Sequence, residues 1–356
     1  MASLEELREE RLKKRQVLEE KGFDTYPAKS TRTHTIFQFK TGFETLAQSK
    51  EQVTIAGRVM SQRGQGALAF SDLFDGTGKT QLFLKSDEMD GEVYKLWGET
   101  TDIGDFVEAT GIAYTTQRGE QALFVSGWKM LTKSLLPLPE KWHGITDPDE
   151  RYRKRYLDIL TDPELQDLFY KKSQFWEVTR NFMKEAGFLE VETPTIEVTT
   201  GGAEANPFKT RHNDFDMDVF MRISVGELWQ KRLMAAGFAK TFEIGRVYRN
   251  EGSSPDHLQE FTNMEFYWAY ADYEMGMDIV ERLYKKLSVD VFGKTEFTTR
   301  GHTFDLGGEW KKIDYVQEIE KQTGINVLDA SEAEMKTKLD ELGVKYEGTN
   351  KERLTD

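Results

Sequence analysis

The spacing of apolar positions along this chain changes several times, and each change marks a new element. Residues 3–21 are charged throughout and predict a helix, with Gly22 at the C′ position that ends it. Residues 51–135 switch to short alternating segments at Val53–Val59, Ala67–Phe74, Thr80–Leu84, Phe106–Tyr114 and Ala122–Leu131. Turn signals such as Asp75-Gly76-Thr77-Gly78 and Arg118-Gly119-Glu120 separate them. Five short strands in so little chain suggest a small closed barrel. An OB-fold is the commonest solution, although an SH3-like barrel gives a similar string.

Pro137 and Pro139 mark a stiff connector, after which DPDERYRKRYLDIL starts a charged helical segment. Asp162 and Pro163 form an N-cap and N1 pair. The apolar residues Leu165, Leu168, Phe169, Phe175, Trp176, Val178, Phe182 and Met183 then follow one face of a long helix that Gly187 ends. The next segment, FLEVETPTI, is extended, and Pro194 confines it to a sheet edge or a bulge. From Val219 onward short strands alternate with helices, and Ser331 to Asp356 is polar and helix-leaning with no closing signal.

Composition narrows the class. A chain of 356 residues exceeds what one core usually organises, so two domains are expected. Apolar residues make up 38% and charged residues 31%, and no apolar run approaches the roughly 20 residues that span a bilayer. The first 20 residues are charged rather than signal-like, and there is no cysteine for disulfides or thiolate metal sites, so a cytoplasmic protein is expected. The net charge of −14 argues against nucleic-acid binding by overall attraction, but phosphate contacts depend on local clusters. Arg8, Arg11 and Arg15 share one helical face with Lys14 nearby. The interleaved Glu5, Glu6, Glu9 and Glu10 favour a solvated, salt-bridged helix over a phosphate-binding one.

The most specific segment runs from Phe242 to Tyr270, FEIGRVYRNEGSSPDHLQEFTNMEFYWAY. Two strand-like runs, Thr241–Tyr248 and Phe261–Tyr270, flank a polar loop carrying Arg249, Glu251, His257 and Glu260. This segment resembles motif 2 of the class II aminoacyl-tRNA synthetases in the spelling of the lysyl-tRNA synthetases, and the helix plus FLEVETPTI is similar to motif 1. No dinucleotide-binding glycine turn or GxxxxGK[ST] loop is present to suggest another nucleotide site.

The resemblance implies an α+β architecture: an OB-fold anticodon-binding barrel over 51–136 after a lead-in over 1–50, a linker over 137–160, and a synthetase domain with an antiparallel sheet over 161–356. It implies activation of lysine with ATP, Mg²⁺ as the accompanying ion, tRNA(Lys) as partner, and a cytoplasmic homodimer formed through residues 164–196. Arg249 matches the arginine that bridges the lysine carboxylate and the α-phosphate, a task for which a rigid guanidinium fork suits better than an ammonium. Glu251, His257 and Phe261 match the other ATP-binding positions. Gly201, Gly202, Glu227, Glu265 and Tyr267 match the lysine-binding positions. Arg63, Phe70, Gln81 and Glu120 match the anticodon-binding ones, although Phe70 alternates as a barrel-core residue would.

Nothing in residues 271–356 matches the family's motif 3, which carries a second ATP-binding arginine, or the acidic stretch before it, which carries Mg²⁺ and further lysine ligands. Asp305, Glu309 and Asp314 are available acids without a metal-like spacing, so no metal ligand is identifiable. The expectation is therefore the N-terminal part of a synthetase, inactive by itself. Two alternatives stay open: a non-catalytic RNA-binding or regulatory paralogue, and a sister enzyme charging aspartate or asparagine. The sister enzyme would need cations where Glu227 and Glu265 place anions.

Overall fold

The computed structural model describes residues 3–139, 145–254, 256–346, 348 and 350–355. The chain divides into two units, residues 1–166 and 167–356. The expected linker over 137–160 lies partly outside the described residues, at 140–144, and its described remainder belongs to the first unit.

Helix α1 (Leu4–Glu20) starts from a capping box in which Ser3 and Glu6 satisfy each other's backbone N–H groups, and Gly22 leaves it at φ +82°. Its basic face is not solvated as the interleaved charges suggested. Arg11 is only 9% exposed, and its guanidinium donates to the carbonyls of Ser134 and Leu136 (3.0 Å each) and of Ile103 (3.1 Å). Lys14 pairs with Asp102 at 2.7 Å. Orphan carbonyls of the following polypeptide capture the arginine, and these leave no trace in local spacing. Arg15 does pair with Glu19 along the helix, and Arg8 stays exposed.

Helices α2 (Ile36–Thr41) and α3 (Phe43–Ser49) bury Ile36, Phe39, Phe43 and Leu46 in the barrel core. The barrel consists of β1 (Val53–Gln65), β2 (Leu68–Phe74), β3 (Lys79–Lys85), β4 (Phe106–Thr115) and β5 (Gln121–Thr132), closed in the order β1-β2-β3-β5-β4. This is the strand order of an OB-fold. Helix α4 (Gly91–Thr100) lies between β3 and β4 and adds Leu96 and Trp97 to the core. At Gly111, β4 passes so close to the carbonyl of Phe124 on β5 that a Cβ would overlap it, at the point where the register shifts. Behind the barrel, the fully buried Lys133 ammonium donates to the Thr100 carbonyl (2.6 Å), Asp102 (2.5 Å) and Asp105 (2.7 Å). Burial raises the Asp105 carboxyl above its ordinary value. Burial also opposes ionisation of Asp102, but Lys133 and Lys14 outweigh it and hold that group low. Short helices α5 (Pro148–Arg153) and α6 (Arg155–Thr161) end the unit, joined through Asp158, which accepts from Arg151 (2.9 Å) and Arg155 (2.6 Å).

Helix α7 (Pro163–Glu185) begins at Asp162, whose carboxylate accepts from the N–H groups of Glu164 and Leu165, and Gly187 follows its end at φ +83°. Its apolar residues do not form one buried face. Phe182 and Met183 are buried, whereas Leu168 and Phe169 are 55% and 49% exposed. The FLEVETPTI segment splits into β6 (Leu189–Glu190) and β7 (Ile196–Glu197), which join different sheets. Pro194 sits in the step between them, where no ladder bond is asked of it.

The hairpin β8 (Lys209–His212) and β9 (Met217–Met221) pairs with β7. After helix α8 (Glu227–Ala235) come the long strands β10 (Lys240–Tyr248) and β11 (Glu260–Trp268), which form the sheet β11-β10-β6. Helix α9 (Tyr273–Phe292) places Ile279, Leu283 and Leu287 in one core with Phe182, Met183 and Phe242. The hairpin β12 (Glu296–Thr299) and β13 (His302–Asp305) precedes α10 (Tyr315–Thr323), α11 (Glu332–Leu342) and α12 (Lys351–Thr355), which share a small separate core around Val327, Met335 and Leu354. Ser331 caps α11 through a capping box, and Gly343 in the left-handed region ends it.

Candidate functional site

Strands β10 and β11 pair without interruption from Lys240–Trp268 to Tyr248–Glu260. Side chains alternate across such a ladder, so one face carries Phe242 and Ile244 opposite Phe266 and Met264 and packs on the core. The other face sets Thr241, Glu243, Gly245 and Val247 opposite Tyr267, Glu265, Asn263 and Phe261. The sequence-predicted Phe261, Glu265 and Tyr267 thus line one surface.

Glu265 is half-buried, and its Oε1 accepts from the Val225 N–H (2.8 Å) and from Asn263 (3.1 Å). Burial pushes its carboxyl above the ordinary value and Glu227 adds to this, while the Val225 N–H and the Arg249 and Arg222 guanidiniums pull it down. Burial, then Glu227 and Glu265, push the Tyr267 phenol upward and keep it protonated. Glu227 opens α8 directly after Gly226, which adopts φ +67°, and it pairs with Lys231 one turn on. Gly201 and Gly202 wrap over this helix start. A Cβ on Gly202, whose φ is +95°, would overlap Glu227 Oε2 and Ser224 Oγ, and the Gly201 carbonyl accepts from Ser224 Oγ at 2.8 Å. The close approach that the glycines permit is therefore to the chain's own carboxylate. Two carboxylates and a phenol in a partly desolvated setting suit a cationic ligand.

Arg249 follows β10. Its N–H donates to the Gln259 carbonyl (2.8 Å), its Nε donates to the Ile223 carbonyl (3.3 Å), and its guanidinium lies 5.4 Å from the centre of the Phe261 ring. A surface pair with Glu251 is the ordinary alternative for such an arginine, but Glu251 Oε1 instead accepts the Asn206 N–H at 3.2 Å. Glu251 and His257 lie on the exposed loop between the strands, where the imidazole Nδ1 is 2.8 Å from Ser254 Oγ and Asp256 pairs with Arg300. The structure therefore brings Arg249, Phe261, Glu265, Tyr267 and Glu227 together and leaves Glu251 and His257 at the rim. Among the described residues no group of three or more His, Asp or Glu side chains could hold a metal ion, and Asp314 is used as the N-cap of α10.

Beneath this surface lies a buried ion pair that local sequence patterns did not flag. Arg222 donates to Glu243 Oε1 at 2.5 Å, and Glu243 Oε2 accepts from the Thr193 hydroxyl (2.6 Å) and N–H (3.1 Å). The Arg222 guanidinium occupies the space a Cβ on Gly245 would need. A glycine inside an otherwise strong strand signals such a close approach and could have pointed to the pair.

On the barrel, Arg63 on β1 faces Phe70 on β2, and Gln81 on β3 faces Asp72 two residues further along β2. Phe70 is not a core residue. It stands half-exposed and stacks on Phe83 at 4.8 Å with the rings 10° apart, and Phe83 in turn meets Phe124 (5.2 Å) and Tyr114 (5.7 Å). Glu120 lies exposed in the turn before β5. An aromatic face bordered by polar and basic groups can stack and hydrogen-bond unpaired bases.

Residues 53–131 match the family model for the OB-fold nucleic acid binding domain, and residues 147–353 match the model for tRNA synthetases class II (D, K and N). A lysine–tRNA ligase of Roseiflexus castenholzii is 44% identical over 332 residues, covering 93% of this chain and 68% of the relative. One from Carboxydothermus hydrogenoformans is 43% identical over 347 residues, covering 97% of this chain and 70% of the relative. One from Halalkalibacterium halodurans is 41% identical over 321 residues, covering 89% of this chain and 64% of the relative.

Proposed function

The chain belongs to the lysine–tRNA ligases of the class II tRNA synthetases, and from that membership we propose that its residues serve the ATP-dependent activation of lysine and its transfer to tRNA(Lys) in translation, with little activity of their own in the absence of motif 3. The observation that carries the choice of amino acid is the pair of carboxylates, Glu265 and Glu227, gathered with the neutral Tyr267 phenol beside Arg249. Aspartate or asparagine would need a cation or amide donor for its side chain. Arg222, the other arginine acting on Glu265, is already committed to Glu243.

In this reading the lysine carboxylate attacks the α-phosphorus and pyrophosphate leaves, so the barrier lies in bringing two anions together. Arg249 spans the carboxylate and the α-phosphate as charge builds on the phosphoryl oxygens. Phe261 stacks on the adenine, with Glu251 at its amino group and His257 toward the outer phosphates. Glu227 takes the α-ammonium group of lysine, and Glu265 with Tyr267 takes the ε-ammonium group. Gly201 and Gly202 keep the neighbouring backbone close to Glu227. Family membership implies Mg²⁺ beside ATP; among the described residues no group of three or more His, Asp or Glu side chains gathers that could hold the ion without the phosphates. On the barrel, Phe70 stacks on an anticodon base while Arg63, Gln81 and Glu120 meet base edges. Pairing of two copies through residues 164–196 would cover the exposed Leu168 and Phe169. The setting is the cytoplasm; among the described residues no helix is long and apolar enough to cross a membrane.

Exchange of labelled pyrophosphate into ATP, measured on this chain joined to the motif 3 segment of a lysine–tRNA ligase with lysine, aspartate and asparagine offered separately, tests this directly. Lysine-dependent exchange is expected, and exchange driven by aspartate or asparagine would overturn the assignment. Binding of tRNA(Lys) without any exchange would favour a non-catalytic RNA-binding role.

A further inference from the structure

Behind the sheet face sits a side chain that no part of the reaction scheme above uses. Gln230 on α8 is fully buried. Its Nε2 donates to the Val225 carbonyl at 2.9 Å and lies 3.5 Å from the Glu265 carbonyl, and its Oε1 accepts from the equally buried Thr241 hydroxyl at 2.9 Å. Every bond its side chain makes therefore ends on β10, on Glu265 itself, or on the residue whose N–H holds Glu265. That N–H and Asn263 both act on Oε1 of the Glu265 carboxylate. With Oε1 fixed from two sides, the side chain has one orientation, and Oε2 is the oxygen left to meet a ligand.

We propose that Gln230 is a positioning residue for amino-acid selection: it clamps the Val225 peptide to the sheet so that Glu265 presents one oxygen to the substrate ammonium. The inference rests on the reading of Glu265 as the carboxylate that receives the lysine side chain. A buried amide costs desolvation that an apolar side chain of similar volume would avoid. What the amide contributes instead is placement, since a carboxylate that must be reordered on binding loses affinity to the ordering.

Calorimetric titration of the folded protein with lysine, ATP and norleucine, which lacks only the ε-ammonium group, tests the proposal. Gln230→Leu should weaken lysine binding about tenfold while ATP and norleucine change less than about twofold. The pH at which lysine affinity falls should also move upward, because the Val225 N–H no longer favours the ionised carboxylate. Thr241→Val, which frees the far end of the amide, should act in the same direction by about threefold. It decides the matter if the leucine variant does not melt cooperatively. Unchanged lysine affinity in a folded variant, or parallel losses for lysine and norleucine, would overturn the proposal. Failure of the wild-type protein to bind lysine, or a Glu265→Gln variant that binds it normally, would instead remove the reading beneath it.

Discussion

The two units use buried charge for opposite purposes. In the barrel unit Lys133, Asp102, Asp105 and Arg11 close on one another and on backbone carbonyls behind a single continuous core, and they attach a helix. In the second unit Arg222 and Glu243 are just as buried, but they lie under the sheet face that carries Glu265 and Tyr267, and the apolar residues there divide into two separate clusters. Buried ion pairs contribute little net stability compared with apolar side chains of equal volume. Their presence in both places points to geometry: in one case where a helix sits, in the other where carboxylates point.

Replacement of one residue in each unit should break this contrast cleanly. The largest effect is expected from Arg249→Ala, which in a chain completed with motif 3 should lower lysine-dependent pyrophosphate exchange by about 10³-fold without altering the melting of either unit. Near-normal exchange would remove Arg249 from the chemistry. Lys133→Met should cost the barrel unit about 3 kcal/mol in chemical denaturation, because Asp105 stays buried beside it, while lysine titrations remain unchanged. Glu265→Gln should weaken lysine binding roughly thirtyfold, equivalent to about 2 kcal/mol, with ATP binding preserved. Equal losses for both ligands would contradict its assignment to the side-chain ammonium. Phe70→Ala should weaken tRNA(Lys) binding by about 1–2 kcal/mol and spare adenylate formation.

The smallest effect concerns pH. A carboxyl raised by burial is favoured in its protonated form when folded, so Glu265 contributes stability at low pH that is lost as pH rises through its folded value. Lysine binding needs the ionised form and should run the other way. Its affinity should start to fall, as pH drops, before the ordinary glutamate value of 4.5 is reached, and an isothermal series in pH would show this.

The barrel strands and the β10–β11 hairpin were legible because alternation with period two is imposed by burial of one face, and burial is local information. Arg249, Phe261 and Glu265 were legible through the spelling of the segment around them. Arg11 was not, because the carbonyls it serves come from Ile103, Ser134 and Leu136, far along the chain. Gln230 reads like any polar residue on a short helix, and its burial follows only from the packing of α8 on the sheet. The exposed Leu168 and Phe169 show the reverse case, since helical periodicity marks an apolar face without saying what covers it.

The ring stack on the barrel has a consequence for how tightly a flat ligand could be held. Phe70 is already pinned against Phe83, so its rotamer freedom was surrendered when the barrel closed. A base settling on the outer face of that ring would then lose its own mobility but freeze almost none of the protein's. Selectivity among bases would fall to the polar rim, because a rigid aromatic plane offers every base much the same welcome.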